Sequence, residues 1–473
     1  MVSFTFSVIL LVVGYFIYGR IVERIFGIRA DRQTPAYTHA DGVDYVPMST
    51  WKIFMIQFLN IAGLGPVFGA IMGAKFGISS YVWIVFGCIF GGAVHDYLSG
   101  MLSVRSDGAS LPELIGDNLG RGVKQAMRIF TVLLMVLVGV VFVSGPAGLL
   151  AALTPESLHV VFWAVVIFAY YIIATLMPID KIIGRIYPLF ALALIFMAIG
   201  IFIALYVYKV PLPEFTEGFR NIHPDKENLP IFPMLFITIA CGAVSGFHAT
   251  QSPLMARCIK NERRGRFIFY GAMITEGIVA LIWAAAAIYF FSPEGQAYFG
   301  ITADNAGAIN GNAAAVVDRI TKTWLGSFGG LLAVLGVIAA PVSSGDTAFR
   351  SARLIISDML GIEQKKVKKR LLISVPLFLA AILILQLDFN AIWRYFAWAN
   401  QTLSVFTFWA LTVWLAKNRK NFAITLVPAV FMTVVCGAYI MIAPEGLRLP
   451  YSYGISFGLL LAVLFVFLFF RRK

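Results

Sequence analysis

Uninterrupted apolar stretches set the terms for this chain: scanned for runs longer than about 17 residues, the sequence yields about thirteen, near 4–19, 51–74, 79–104, 124–150, 158–176, 186–208, 230–250, 267–291, 324–345, 371–387, 390–415, 422–442 and 453–471. A segment of that length needs hydrocarbon around it, and in hydrocarbon every backbone N–H and C=O must be paired within the segment, so each run is expected to be an α-helix. Of 473 residues, 60% are hydrophobic and only 13% charged, about half the charged share of a soluble domain. A soluble enzyme with one anchor is excluded. The expected fold is an all-α integral membrane protein with about thirteen transmembrane helices.

Charge placement tests the count. With the N-terminus outside and the C-terminus inside, 29 of the 37 Lys and Arg fall in cytoplasmic segments, including clusters at Arg20–Arg32, Arg257–Arg266, Arg350–Arg370 and Arg471–Lys473. An alternation error at a middle run would scramble that bias. The net charge of +13 is thereby accounted for by topology, and no nucleic-acid partner is called for. The first run has no basic stretch before it and no small-residue cleavage site after it, so it reads as a retained helix. The four cysteines, Cys88, Cys241, Cys258 and Cys436, stand far apart with no CxxC or Cys/His spacing. They read as apolar fillers, with neither a disulfide framework nor a metal site expected.

Two runs carry helix breakers. The second contains Ile61-Ala62-Gly63-Leu64-Gly65-Pro66, and the seventh Cys241-Gly242-Ala243-Val244-Ser245-Gly246-Phe247-His248, followed by Gln251 and Pro253. Five runs apart, they cross the membrane in opposite senses. That is the pattern of a five-plus-five inverted repeat whose first helices are unwound near the midplane. The expected organisation is residues 1–50 as an extra helix and cytoplasmic linker, 51–208 and 230–415 as the two repeats, and 416–473 as two additional helices. A broken helix leaves N–H groups at the start of its second half and C=O groups at the end of its first, tolerated only where cavity, ion or cargo satisfies them. Pro66 suits a first turn. Two positive helix ends, near Gly65 and near Ser245, favour a small organic anion or zwitterion.

Ionisable groups within hydrocarbon are expensive and are functional candidates. Glu276 lies deep in the eighth run, His95 and Asp96 in the third, and His248 just past the second break. Glu276 is either an interhelical hydrogen-bonding carboxyl or a proton carrier. His95–Asp96 either lies near the cytoplasmic headgroups, capping or pairing with Arg105, or belongs to a proton path. His248 is either helix-end packing or a substrate or proton contact. Asp346 and Arg350 are spaced for an i,i+4 ion pair. Ser343, Ser344 and Thr347 offer hydroxyls for a cation held against carbonyls of the first break. Asn400–Gln401 is an amide pair within the eleventh run, either interhelical glue or a ligand contact.

These residues also carry a family signature. Asp41-Gly42-Val43-Asp44-Tyr45-Val46-Pro47, Gln57-Phe58, the first break, Gly91-Gly92-Ala93-Val94-His95-Asp96, Lys181-Ile182-Ile183-Gly184-Arg185-Ile186-Tyr187-Pro188, Ser245-Gly246-Phe247-His248-Ala249, Asp346-Thr347-Ala348-Phe349-Arg350 and Ala399-Asn400-Gln401 resemble, in order, the carbon-starvation (CstA) transporter family. The resemblance implies a cytoplasmic-membrane secondary transporter of the amino acid-polyamine-organocation superfamily with the LeuT-like fold, taking up peptides or pyruvate during nutrient limitation.

The expected activity is import of a small carboxylate-bearing nutrient, without a bound cofactor and with H⁺ as the favoured coupling ion. Gly63, Gly65, Pro66, Ser245, Gly246, His248, Gln251, Asn400 and Gln401 would frame the cargo, and Glu276, His95, Asp96 and Asp346 would serve coupling. A Na⁺-coupled symporter using Ser343, Ser344 and Thr347 is the alternative. A passive channel or membrane nutrient sensor belongs to a different class. No HExxH, Walker A or CxxC motif supports an intramembrane enzyme.

Overall fold

Each apolar run forms helix in the computed structural model, which describes residues 1–176, 183–364, 366–387 and 389–472. Lys181, Ile182, Lys365 and Lys473 lie outside the described residues. Among the described residues there is no strand. Eight helices of the described residues are long and apolar enough to cross a membrane, nine when the broken pair Thr50–Ala62 and Gly65–Phe76, bent by 50°, counts as one. Val160–Leu176, Val367–Ile384 and Phe389–Lys417 are further helices.

The molecule is apolar outside and polar inside, the reverse of a soluble domain. Phe196, Leu383, Leu460 and Val463 are exposed, while His95, Asp96, His248, Glu276, Asp346 and Asn400 are buried. That inversion fits lipid as the surrounding solvent. The helices Arg121–Leu153 and Ile183–Val207 each pack along Ala313–Leu360, and Ala423–Ile442 pairs with Tyr451–Arg472 as a hairpin. Small residues permit the close approaches: Gly458 lies against the backbone of Val434 and Ala438.

Both glycine-bearing segments break their helices. The first helix stops at Ala62, turns through Gly63 (φ 31°, ψ −138°) and resumes as a π-helical turn at Gly65–Gly69 with Pro66 in its first turn. The other ends at Thr238 and restarts at Gly246, with an irregular stretch between. Within that stretch Gly242 holds φ at +90°, a conformation that favours glycine. The two breaks touch. A Cβ added at Gly65 would overlap the Cys241 side chain, and one at Gly69 would come 3.0 Å from the Thr238 carbonyl.

One end of the bundle is closed by the linker between Phe26 and Thr50. Asp44, buried, pairs with Arg350 at 3.0 Å and with Arg353 at 3.4 Å. Arg350 also donates to the Ala174 carbonyl at 2.8 Å. Burial pushes the Asp44 carboxyl up, but Arg353 and Arg350, with Arg257 beyond them, outweigh that and hold it down at about 2. Thr34 donates to the Ile259 carbonyl, and Glu262 takes the Arg29 N–H and a forked pair of bonds from Arg105. Linker, 105–109 and 257–265 thus form one charged, hydrogen-bonded floor.

Candidate functional site

Three buried ionisable side chains from three helices meet beside the second break. His248, in the first turn of Gly246–Ala256, directs Nδ1 to Asp96 Oδ2 at 2.9 Å and Nε2 toward Glu276 Oε2 at 3.5 Å. Asp96 is held from its other oxygen by His95 Nδ1 at 2.8 Å. The result is a hydrogen-bonded His95–Asp96–His248 run with Glu276 3.5 Å beyond its end. A surface location for His95–Asp96 with an Arg105 partner does not hold, because Arg105 is committed to Glu262 and Asp96 is buried between two imidazoles. His248 Nε2 and both Glu276 oxygens make no hydrogen bond within the described residues.

The exposed ends of the broken helix are satisfied by the neighbouring amides. Asn400 accepts the Phe247 N–H through Oδ1 at 2.6 Å and donates to Ser245 Oγ at 3.0 Å. Gln401 donates to the Phe236 carbonyl at 3.0 Å, one of the orphan acceptors in the last turn of Ile231–Thr238. One residue therefore caps the start of the second half and its neighbour the end of the first. Gly246 has no room to serve as a backbone wall for cargo: a Cβ there would run into the Asn400 carbonyl and the Ser404 N–H. Gln251 faces elsewhere, donating to Thr250 and Ser351.

Near the first break, Ser344 donates to the Leu59 carbonyl at 3.2 Å and the Ala340 carbonyl at 3.0 Å, and its Oγ would lie 3.5 Å from a Gly63 Cβ. Ser343 and Thr347 donate to carbonyls of their own helix. Asp346 accepts the Tyr187 hydroxyl at 2.8 Å.

A vestibule of about 320 Å³ leads to this point from the end opposite the linker, with Gly65, Cys241 and Asn400 among its walls and His223, Arg394 and Glu445 among its polar lining. Arg394 is half exposed, with Nε 4.0 Å from Glu445. Of the residues expected to frame the cargo, Gly65 and Asn400 line the vestibule, and Gly63, Pro66, Ser245, Gly246, His248, Gln251 and Gln401 are not among its lining residues. Sequence reasoning missed Cys241 and Arg394. Cys241 carried a signal in its position at the lip of a predicted break, whereas nothing in the sequence marks Arg394.

The carbon starvation protein CstA profile matches residues 1–163, 151–328 and 303–438. The chain belongs to the CstA family. It is 27% identical to the peptide transporter CstA of Bacillus subtilis over 90% of this chain and 88% of that one. It is 27% identical to the pyruvate/proton symporter BtsT of Escherichia coli over 72% of this chain and 57% of that one. Its fold matches the Eremococcus coleocola manganese transporter with a TM-score of 0.54 at 12% identity, covering 91% of this chain and 96% of that one. The CstA family chain is accordingly a multi-pass membrane transporter, not an enzyme.

Proposed function

We propose that this CstA family member is a proton-coupled symporter that imports a small carboxylate-bearing nutrient, a short peptide or pyruvate, across the cytoplasmic membrane under nutrient starvation. The observation that carries the reading is the buried Asp96–His248–Glu276 chain abutting the contact between two broken helices. An imidazole between two carboxylates can take a proton from one and pass it to the other, and helix motion at either break changes their spacing.

In this reading the chain crosses the membrane thirteen times, N-terminus outside and C-terminus inside, as a LeuT-like inverted repeat of residues 51–208 and 230–415. Residues 1–50 and 416–473 are additions. The vestibule then faces outward and the linker floor inward. Arg394 meets the cargo's carboxylate at the mouth, and the cargo descends to Gly65 and Asn400. The membrane potential drives the charge inward at about 2.3 kcal/mol per 100 mV.

Sodium coupling is the second reading, favoured by Ser344 bridging toward the Leu59 carbonyl at the first break. Uptake of labelled pyruvate and of di- and tripeptides into proteoliposomes separates them. Accumulation that follows an imposed pH gradient without sodium supports the proton reading; accumulation that ignores pH and follows sodium removes it. Equilibration without accumulation indicates a channel.

A further inference from the structure

The side chains at the second break also have the composition of a metal site. One ligand atom each from Cys241, His248 and Glu276 lies within 4.8 Å of the others, and all three side chains are buried. A thiol, an imidazole and a carboxylate form a mixed donor set suited to a borderline divalent ion such as Zn²⁺.

Two further features point to a ligand there. His248 Nε2 and both oxygens of Glu276 are buried and without hydrogen-bond partners, although unmet buried polar atoms are costly; one cation satisfies all three. Behind His248, Asp96 holds Nδ1 at 2.9 Å. An outer carboxylate on the far nitrogen is the arrangement that fixes the ring and tautomer of metal-binding histidines. An entry path exists as well, because Cys241 also lines the vestibule.

We propose that Cys241, His248 and Glu276 form a binding site for a divalent transition-metal ion, with Asp96 orienting His248 from behind and the remaining coordination position turned to the vestibule. Binding displaces the thiol proton and requires neutral imidazole, so the ion competes with protons and its affinity falls as the pH drops. The ion would occupy the same His248 and Glu276 atoms that the symport reading gives to the proton, so the two compete for one site; binding is measured without transport, and its failure leaves that reading untouched.

The test uses tag-free, full-length protein in detergent, stripped with chelator and titrated with Zn²⁺, then with Co²⁺ as a spectroscopic substitute. The expected result is one Zn²⁺ per chain and, with Co²⁺, a thiolate-to-metal charge-transfer band. Cys241→Ser should lose the band and at least tenfold in affinity, while Cys436→Ser keeps both. Substoichiometric Zn²⁺, a Co²⁺ complex of the unaltered chain without thiolate absorption, or equal binding by Cys241→Ser and the unaltered chain overturns the proposal. The Co²⁺ spectrum of the unaltered chain decides the matter even if a variant misfolds.

Discussion

Glu276 Oε2 lies 3.5 Å from His248 Nε2, linking the unbroken helix Gly271–Phe290 to the first turn after a helix break. Among the described residues the Glu276 carboxyl makes no side-chain hydrogen bond, and the Gly242 backbone N–H lies beside it. An isosteric amide keeps the volume and removes the titration. Glu276→Gln should therefore fold with an unchanged unfolding temperature yet lose proton-driven accumulation at least about tenfold. Uptake into proteoliposomes under an inward pH gradient checks it, and full accumulation by the variant ends the coupling role.

The contact between the breaks makes a rescue prediction. Gly65→Ala places a Cβ where the Cys241 side chain already stands, an overpacking that costs about 1–3 kcal/mol. The companion change Cys241→Gly should restore stability, whereas Cys241→Ala, which keeps the overlapping Cβ, should not. Thermal unfolding of the two double variants reads the difference directly.

Asn400 separates a structural amide from a ligand-sensing one. Asn400→Ala removes the cap on the Phe247 N–H and should cost about 1–2 kcal/mol. Asn400→Asp keeps the acceptor but sets a negative charge on the vestibule wall. It should retain the fold while weakening binding of anionic cargo, measured as a raised half-saturation concentration for uptake.

The linker floor carries the acid sensitivity. The folded-state position of the Asp44 carboxyl, about 2, lies below its ordinary 3.8, so its stabilising contribution is complete above about 4 and fades as the pH falls through about 2. Asp44→Asn removes the buried negative charge that Arg350 and Arg353 share and should destabilise by about 3–5 kcal/mol. Unfolding temperature followed across that window should drop for the unaltered protein and stay flatter for the variant.

The legible part of this molecule is the part that periodicity and breakers encode. Apolar runs mark the helices because lipid requires paired backbone, and Gly63–Pro66 and Gly242–Ser245 interrupt helices for reasons local to themselves. Pairings across the fold were less visible. His95–Asp96 sits at a point in its run that suggests a surface position, and only the crossing of three helices brings it to His248 and Glu276. Cys241 and His248 do not follow a metal-ligand spacing, because the third partner comes from another helix. Arg350, spaced for Asp346, also reaches a linker aspartate 306 positions away in sequence.

That linker aspartate has a kinetic consequence. Two guanidinium groups held by a single carboxylate form a seal that cannot slide; it must come apart, and each separated charge must find water before anything passes. If the linker floor faces inward, as proposed above, release on that side is expected to be the slow step of the cycle, and the same barrier guards against futile leakage when the vestibule stands empty.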